Sequence, residues 1–127
     1  MGAALYIVLE IQIPGLDTMV DGKMLNRAEE RLAEAATRLG VRPLMEFFSM
    51  NTDEAGDFLG GEGLDDIEVP AEQWFPANEG LKTVQALLGE VERRPELRDV
   101  REDLLGFERV LKAAEQNGVR WHLAVDI

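Results

Sequence analysis

Two stretches of alternating residues, one near each end of the chain, constrain the fold most. In Leu5 to Ile13 every second residue is Leu or Ile. Val119 to Ile127 also alternates, with one apolar set and one more polar set: Trp121, Leu123, Val125 and Ile127 against Arg120, His122, Ala124 and Asp126. A period of two is typical of a strand with one buried face. The sequence therefore predicts a small sheet built from both ends of the chain, with strand order and direction left open.

Helical spacing dominates the chain between these two stretches. A first helix is predicted from about Gly22, capped by Asp21, to Gly40, and a short one from Asn51 to Leu59. Two more, roughly Asn78 to Arg93 and Pro95 to Asn117, form a helical hairpin. Val41 to Phe48 is predicted as a short strand, in which Pro43 is tolerated only at the start of the strand or on an edge. The predicted fold is α/β, a small sheet with N- and C-terminal strands packed by three to four helices.

The composition limits the number of domains and the kinds of chemistry. At 127 residues and 14.2 kDa, the chain is expected to form a single α/β domain over residues 1–127. The sequence contains no cysteine, which excludes thiol chemistry and suits a reducing compartment. The first residues lack a basic start, and Glu10 and Gln12 interrupt the apolar stretch. We therefore expect a cytoplasmic protein with no membrane span.

The charge is concentrated in one region, the acidic block from Pro43 to Leu81. It contains ten carboxylates and no Lys or Arg, so the rest of the chain has 15 acids against 13 bases. The net charge of −12 disfavours nucleic acid and anionic membranes as partners, because both present negative charge. Basic proteins, cations and neutral ligands remain.

Several residues of the acidic block are candidates for binding a basic partner: Asp53, Asp57, Glu62, Asp65, Asp66, Glu68, Trp74 and Phe75. Aromatic side chains beside charge are typical of interaction hot spots, but a core plug beneath a loop is the favoured interpretation of Trp74 and Phe75. Asp53 and Asp57 share a helix face, but the spacing does not match a calcium-binding loop. We therefore predict a solvated acidic loop, with neither metal nor cofactor.

A second candidate site lies on the C-terminal strand. Alternation places Arg120, His122 and Asp126 on one face, at about 6.6 Å per two residues, and Glu10 joins them if the N-terminal strand is adjacent. A histidine between a cation and carboxylates is suited to general-base chemistry, or to a structural ion-pair network. Ser49 is the chain's one serine. It is therefore the candidate for a serine nucleophile that His122 would activate.

Three stretches resemble segments of small bacterial proteins to which no activity is assigned: Val20 to Lys23, Leu44 to Ser49, and Gly118 to Asp126. The resemblance implies a bacterial cytosolic origin and one folded unit. It supplies no catalytic residue.

The sequence thus supports three hypotheses about function. The first is a non-enzymatic protein that binds a basic protein partner through the acidic block, as an immunity protein or inhibitor does. The second is a small enzyme or ligand-binding protein with a polar site around His122. The third is a subunit of a larger assembly, with the oligomeric state open.

Overall fold

The computed structural model describes residues 4–18, 20, 22–49 and 72–126. Within these ranges the fold is mixed α/β, with two terminal strands and four α-helices packed together, which confirms the predicted fold class. The strands are β1 (Ala4–Leu9) and β2 (Trp121–Asp126). The helices are α1 (Lys23–Arg27), α2 (Glu29–Leu39), α3 (Ala77–Arg93) and α4 (Arg101–Gln116), with 3₁₀ helices at Leu44–Phe47 and Pro95–Val100. The predicted helix from Asn51 to Leu59 lies outside the described residues.

The two terminal strands are antiparallel neighbours. The register pairs Ile7 with Leu123 and Val8 with His122. One face of the sheet, which carries Ile7, Leu123 and Trp121, is buried in the core together with side chains from the helices. The opposite face carries Val8 and His122, and we call it the outer face. The alternation in the sequence therefore predicted which side chains share a face.

The second edge of β2 is covered by two short pieces of chain. Phe48 forms a parallel bridge to Leu123, and Phe75 forms an antiparallel bridge to Trp121. The Phe75 bridge has two backbone hydrogen bonds, of 2.8 and 3.0 Å. Residues 50–71, which we call the central segment, thus connect two stretches of chain that lie along the same strand.

The predicted strand from Val41 to Phe48 is wrong over most of its length. After Pro43 the chain turns into the 3₁₀ helix, and strand-like pairing is limited to Phe48. Proline has no amide hydrogen to give a sheet. The turn also carries Phe47 into the core, where its ring centroid lies 5.0 Å from that of Trp121. Burial of the Phe47 side chain stabilises this part of the chain, where a strand would have been stabilised by pairing with its neighbours.

The predicted first helix is divided into α1 and α2 at Ala28, whose φ of −98° and ψ of 10° depart from helical geometry. Asp21, predicted as its cap, lies outside the described residues. The amide groups of Met24 and Leu25 instead donate to Asp103 Oδ2, at 3.0 and 3.2 Å. A carboxylate from α4 therefore satisfies amides that the first turn of a helix leaves without partners.

Helices α3 and α4 form the predicted hairpin, and α3 contacts both the sheet and α2. A β-carbon at Gly80 would overlap the Trp121 ring, so glycine permits the close approach of α3 to β2. On its α2 side, α3 carries the buried carboxylate of Glu90, which accepts a hydrogen bond from Arg38 at 3.0 Å. Arg94 lies 3.9 Å from the same carboxylate oxygen. Burial of a carboxylate requires such partners.

Candidate functional site

The structure places Glu10 against Arg120 at one end of the outer face. The amide of Glu10 donates to the carbonyl of Arg120 at 2.9 Å. The guanidinium of Arg120 contacts both carboxylate oxygens of Glu10, with Nε 3.2 Å from Oε1. Hydrogen bonding to Glu10, reinforced by its charge, raises the pKa of Arg120 above its ordinary value. Both side chains are partly exposed. The sequence predicted that Glu10 and Arg120 would be neighbours, and the pair that they form is solvated.

His122 lies two residues farther along the same face and is buried, with 1% of its surface exposed. Its Nδ1 lies 3.0 Å from the carbonyl oxygen of Leu123, and its Nε2 lies 2.8 Å from Glu72 Oε2. The ring of Trp74 is packed against the imidazole with 4.8 Å between centroids. His122 is therefore covered by the stretch of chain that comes after the central segment. Its carboxylate contact is with Glu72.

Asp126 is the remaining candidate on this strand. It pairs with Ala4 at the end of β2 that is farther from Arg120. The structure thus confirms that Asp126 lies on the strand. The carboxylate described in contact with His122 is Glu72, and the one in contact with Arg120 is Glu10.

Ser49 has a structural role beside this cluster. Its amide donates to the carbonyl of Leu123 at 3.1 Å, and its Oγ accepts a hydrogen bond from the amide of Gln73 at 2.8 Å. Both imidazole nitrogens of His122 already have other partners, so neither is available to activate the Ser49 hydroxyl. A base that takes the proton of a serine must be hydrogen-bonded to it. The geometry does not support a Ser49–His122 nucleophile pair.

Trp74 and Phe75 are adjacent in sequence but have different surroundings. Phe75 packs against the core and meets the Phe47 ring edge to face at 5.3 Å. The guanidinium of Arg42 lies over both rings, 5.3 Å from Phe47 and 5.7 Å from Phe75. Trp74 is half-buried and covers His122. The two aromatic residues therefore divide between the core and the outer face.

The acidic candidates for partner binding, Asp53, Asp57, Glu62, Asp65, Asp66 and Glu68, lie outside the described residues. The structure does describe the chain on either side of them. Ser49 and Gln73 are joined by a hydrogen bond across 24 positions of sequence. The central segment thus begins and ends at one place, next to Glu72 and His122.

Glu72 is the residue that sequence reasoning missed. It is one of ten acids in the acidic block, and nothing in its neighbours distinguishes it from the others. Its partner lies 50 positions away, and a contact between a loop and a strand leaves no periodic signal. The one available hint is that His122 is the chain's single histidine, placed on a strand where burial requires a polar partner.

An open cleft of about 350 Å³ adjoins Arg120, and His122 does not line it. Its walls come from the start of α3, the end of α4 and the turn into β2: Pro76, Ala77, Asn78, Glu115, Gly118, Val119 and Arg120. Across the described ranges, no three His, Asp or Glu side chains are grouped so as to hold a metal ion.

The region around β2 thus combines a buried acid–histidine contact, an exposed ion pair and the two joined ends of an acidic segment. In the part of the chain that the structure describes, no helix is both long and apolar enough to cross a membrane. Comparison of the chain with known protein families, curated protein sequences and solved structures finds no match.

Proposed function

We propose that this protein is a non-enzymatic interaction protein, of the immunity or inhibitor type, which binds a basic protein partner through its central segment. The residues that carry the contact are carboxylates of that segment and the tryptophan after it: Asp53, Asp57, Glu62, Asp65, Asp66, Glu68 and Trp74. Phe75, the other aromatic candidate, packs against the core instead. The absence of cysteine suits a reducing compartment, so we place this activity in the cytoplasm.

One observation carries the proposal, the hydrogen bond from the Gln73 amide to Ser49 Oγ at 2.8 Å. The central segment between these residues contains seven acids and no base. This hydrogen bond joins the chain on either side of the segment, so all seven charges lie on a stretch of chain whose flanking residues meet. A dense patch of one sign accelerates association with a surface of the opposite sign.

The cations of the folded body support this proposal, because many of them already have carboxylate partners within the body. Five such ion pairs are Arg38–Glu90, Arg42–Glu79, Arg94–Glu96, Lys112–Glu108 and Arg120–Glu10. Without the central segment, the chain has 18 acids against 13 bases. These pairs leave fewer body cations to neutralise the seven charges of the segment.

Trp74 adds a contact of a different kind. Its ring is half-buried against the imidazole of His122, and it lies three positions beyond the central segment. A tryptophan held in place loses little entropy on binding, and its ring attracts arginine and lysine side chains. The partner would thus meet carboxylates together with an aromatic surface suited to cations.

The alternative, a small enzyme or ligand-binding protein around His122, has less support. His122 is buried, both of its nitrogens are engaged, and the cleft beside Arg120 does not reach it. A general base needs access to the proton that it removes. If an activity is found, His122→Asn should abolish it under this alternative and leave it intact under the interaction hypothesis.

The test is capture of a partner by immobilised protein from an extract of the source organism, followed by titration of the purified partner. The segment variant replaces four acids of the central segment: Asp53→Asn, Asp57→Asn, Asp65→Asn and Asp66→Asn. The matched body variant replaces four exposed acids on the helices: Glu30→Gln, Glu34→Gln, Glu92→Gln and Glu102→Gln. Both variants carry the same net charge, so a difference between them reports on location.

We expect the wild type and the body variant to retain the same basic protein and the segment variant to lose it. The dissociation constant should rise at least about tenfold between 50 and 300 mM NaCl, because salt screens charges that remain in solvent. Equal weakening by the two variants, or binding that is insensitive to salt, would contradict the proposal.

A further inference from the structure

One edge of the sheet has backbone groups that the fold does not use. In an antiparallel sheet, alternate residues of a strand direct their amide and carbonyl groups to opposite sides. On β1 the amide of Leu5 points away from β2 and donates to the carbonyl of Gly22 at 3.2 Å. Ile7 and Leu9 alternate with Leu5, so their backbone groups point the same way. Among the described residues, no backbone hydrogen bond reaches these groups of Ile7 and Leu9.

The chain that returns from β1 toward α1 does not cover this edge with a strand. It follows α4, where Arg109 donates to the carbonyl of Asp17 at 2.7 Å and Val20 lies against Gly106. The described bridge between the returning chain and β1 is at Leu5. The open part of the edge therefore begins after Leu5.

The strand signal in the sequence is longer than the strand itself. Alternation runs to Ile13, whereas β1 ends at Leu9. The residues between them include Ile11, which is 61% exposed and is the one large apolar side chain exposed in the described part of the chain. An unpaired edge of this kind is a template for another strand.

We infer that the edge from Ile7 to Ile11 pairs with the same edge of a second copy of this chain, antiparallel about a two-fold axis at Leu9. In this register Leu9 faces Leu9 of the second copy, and Ile7 of each copy faces Ile11 of the other. These residues direct their backbone groups outward, so each facing pair exchanges two hydrogen bonds. β1 then continues to Ile11, and the two-stranded sheets of both copies join into one sheet.

The charges along the edge favour a second copy over the basic partner as its occupant. The charged residue of this edge is Glu10, which Arg120 already contacts. The edge is therefore close to neutral and has no excess negative charge to attract a basic strand. In the register about Leu9, Glu10 lies opposite Val8 of the second copy, which keeps the two Glu10 carboxylates apart.

The proposed assembly closes at two copies. Phe48 and Phe75 bridge to the other edge of the sheet, on β2, so that edge is already occupied. A contact between two identical edges uses the same surface of both copies, and it therefore ends in a dimer instead of a fibre. Pairing also removes Ile11 from water.

Hydrogen exchange of single amides tests this geometry in the unmodified protein. We expect the amides of Ile7 and Leu9 to exchange at least about tenfold more slowly at about 1 mM protein than at about 10 μM. The amides of Tyr6 and Val8 point toward β2 and should be protected at both concentrations. Sedimentation equilibrium over the same range should show monomers converting to dimers. A monomer at the higher concentration, or a dimer in which Ile7 and Leu9 exchange as fast as in the monomer, would overturn the inference.

The variant Ile11→Lys tests the register, and Gln12→Lys is its matched control. Both substitutions add the same charge at exposed positions that are adjacent in the chain. The first removes the apolar side chain that faces Ile7 of the second copy, whereas the second changes a residue outside the facing pairs. We expect Ile11→Lys to raise the dissociation constant of the dimer at least about tenfold relative to Gln12→Lys. Equal constants would contradict the proposed pairing.

Salt distinguishes this dimer from the complex with the basic partner. Two copies with a net charge of −12 repel each other, so added NaCl should tighten the dimer, whereas it should weaken the binding of a basic protein. A dimer that dissociates as salt is added would be held by charge pairs and would contradict pairing through this edge. The dimer needs no other protein, so it can fail while the proposed function stands, and the reverse.

Discussion

Two acid–base pairs lie two residues apart on the outer face of β2, and they differ in exposure. Arg120 meets Glu10 with 53% and 28% of their side-chain surfaces exposed, whereas His122 meets Glu72 with 1% and 26% exposed. Charges in water gain little from pairing, because water already solvates them. A shielded polar ring loses a great deal if its partner is removed. The outer face of the sheet thus carries one solvated pair and one pair whose ring is shielded from water.

The largest loss of stability among these tests is expected from His122→Ala. It removes the ring beneath Trp74 and leaves Glu72 without its imidazole partner, while the Leu123 carbonyl keeps the hydrogen bond from the Ser49 amide. We expect the free energy of unfolding to fall by about 2 to 4 kcal/mol, from lost packing and lost hydrogen bonds together. Urea denaturation at pH 6 measures it. A loss below about 0.5 kcal/mol would mean that the cluster is not a fixed part of the fold.

A double-mutant cycle between His122→Asn and Glu72→Gln isolates the pair itself. We expect a coupling free energy of about 1 to 2 kcal/mol at pH 6, because the two groups are in direct contact and one is buried. A coupling indistinguishable from zero would show that the two side chains contribute to stability independently.

The matching cycle on the exposed pair uses Arg120→Gln and Glu10→Gln. Here we expect no measurable shift in the denaturation midpoint at 0.15 M NaCl, because solvent and salt screen the two charges. Circular dichroism with urea is sufficient. A clear coupling at this salt concentration would remove the distinction between the two pairs.

The smallest effect is expected on the acid side, at Glu96. A hydrogen bond from its own backbone amide, and then one from Arg94, lower the pKa of Glu96 below its ordinary value. A lowered pKa gives stability that is present above the unfolded value, about 4.3, and lost as pH falls through the folded one. Glu96→Gln should slightly reduce the loss of stability between pH 5 and pH 3 and leave the range from pH 6 to pH 9 unchanged. Denaturation midpoints at these pH values check both parts.

The parts of the fold that the sequence predicted are those with a local signal. Alternation identified both terminal strands, although the predicted N-terminal strand ran to Ile13 and β1 ends at Leu9. Helical spacing identified α3 to within one residue at its start. The repeated tripeptide Gly-Val-Arg, at Gly40 and again at Gly118, marks the ends of two helices. Both glycines have positive φ, 78° and 66°, and the amide of each following valine donates to the carbonyl five residues earlier, at 2.9 Å. This is the Schellman ending that glycine favours.

The same tripeptide also shows where local signals stop. After Gly118 the chain continues into β2, whereas after Gly40 it meets Pro43 and turns into a 3₁₀ helix. The conformation of the chain beyond α2 is thus decided by proline chemistry and by the burial of Phe47.

No sequence pattern predicted the contacts between residues that are far apart in the chain. Asp103 caps α1 from 78 and 79 positions away, and Glu72 meets His122 across 50. Any of the chain's many acids could have filled either role. At the candidate site, the sequence predicted that Glu10 would join Arg120 on the strand face, but it did not distinguish Glu72.

The closure at Ser49 and Gln73 also bears on how such a protein can change over generations. Chain lengthening at a closed loop is tolerated, since each doubling adds only about 0.6 kcal/mol of closure entropy. Under the proposed function, charge swaps between these two anchors would change the molecular target while the Ser49–Gln73 closure stays in place.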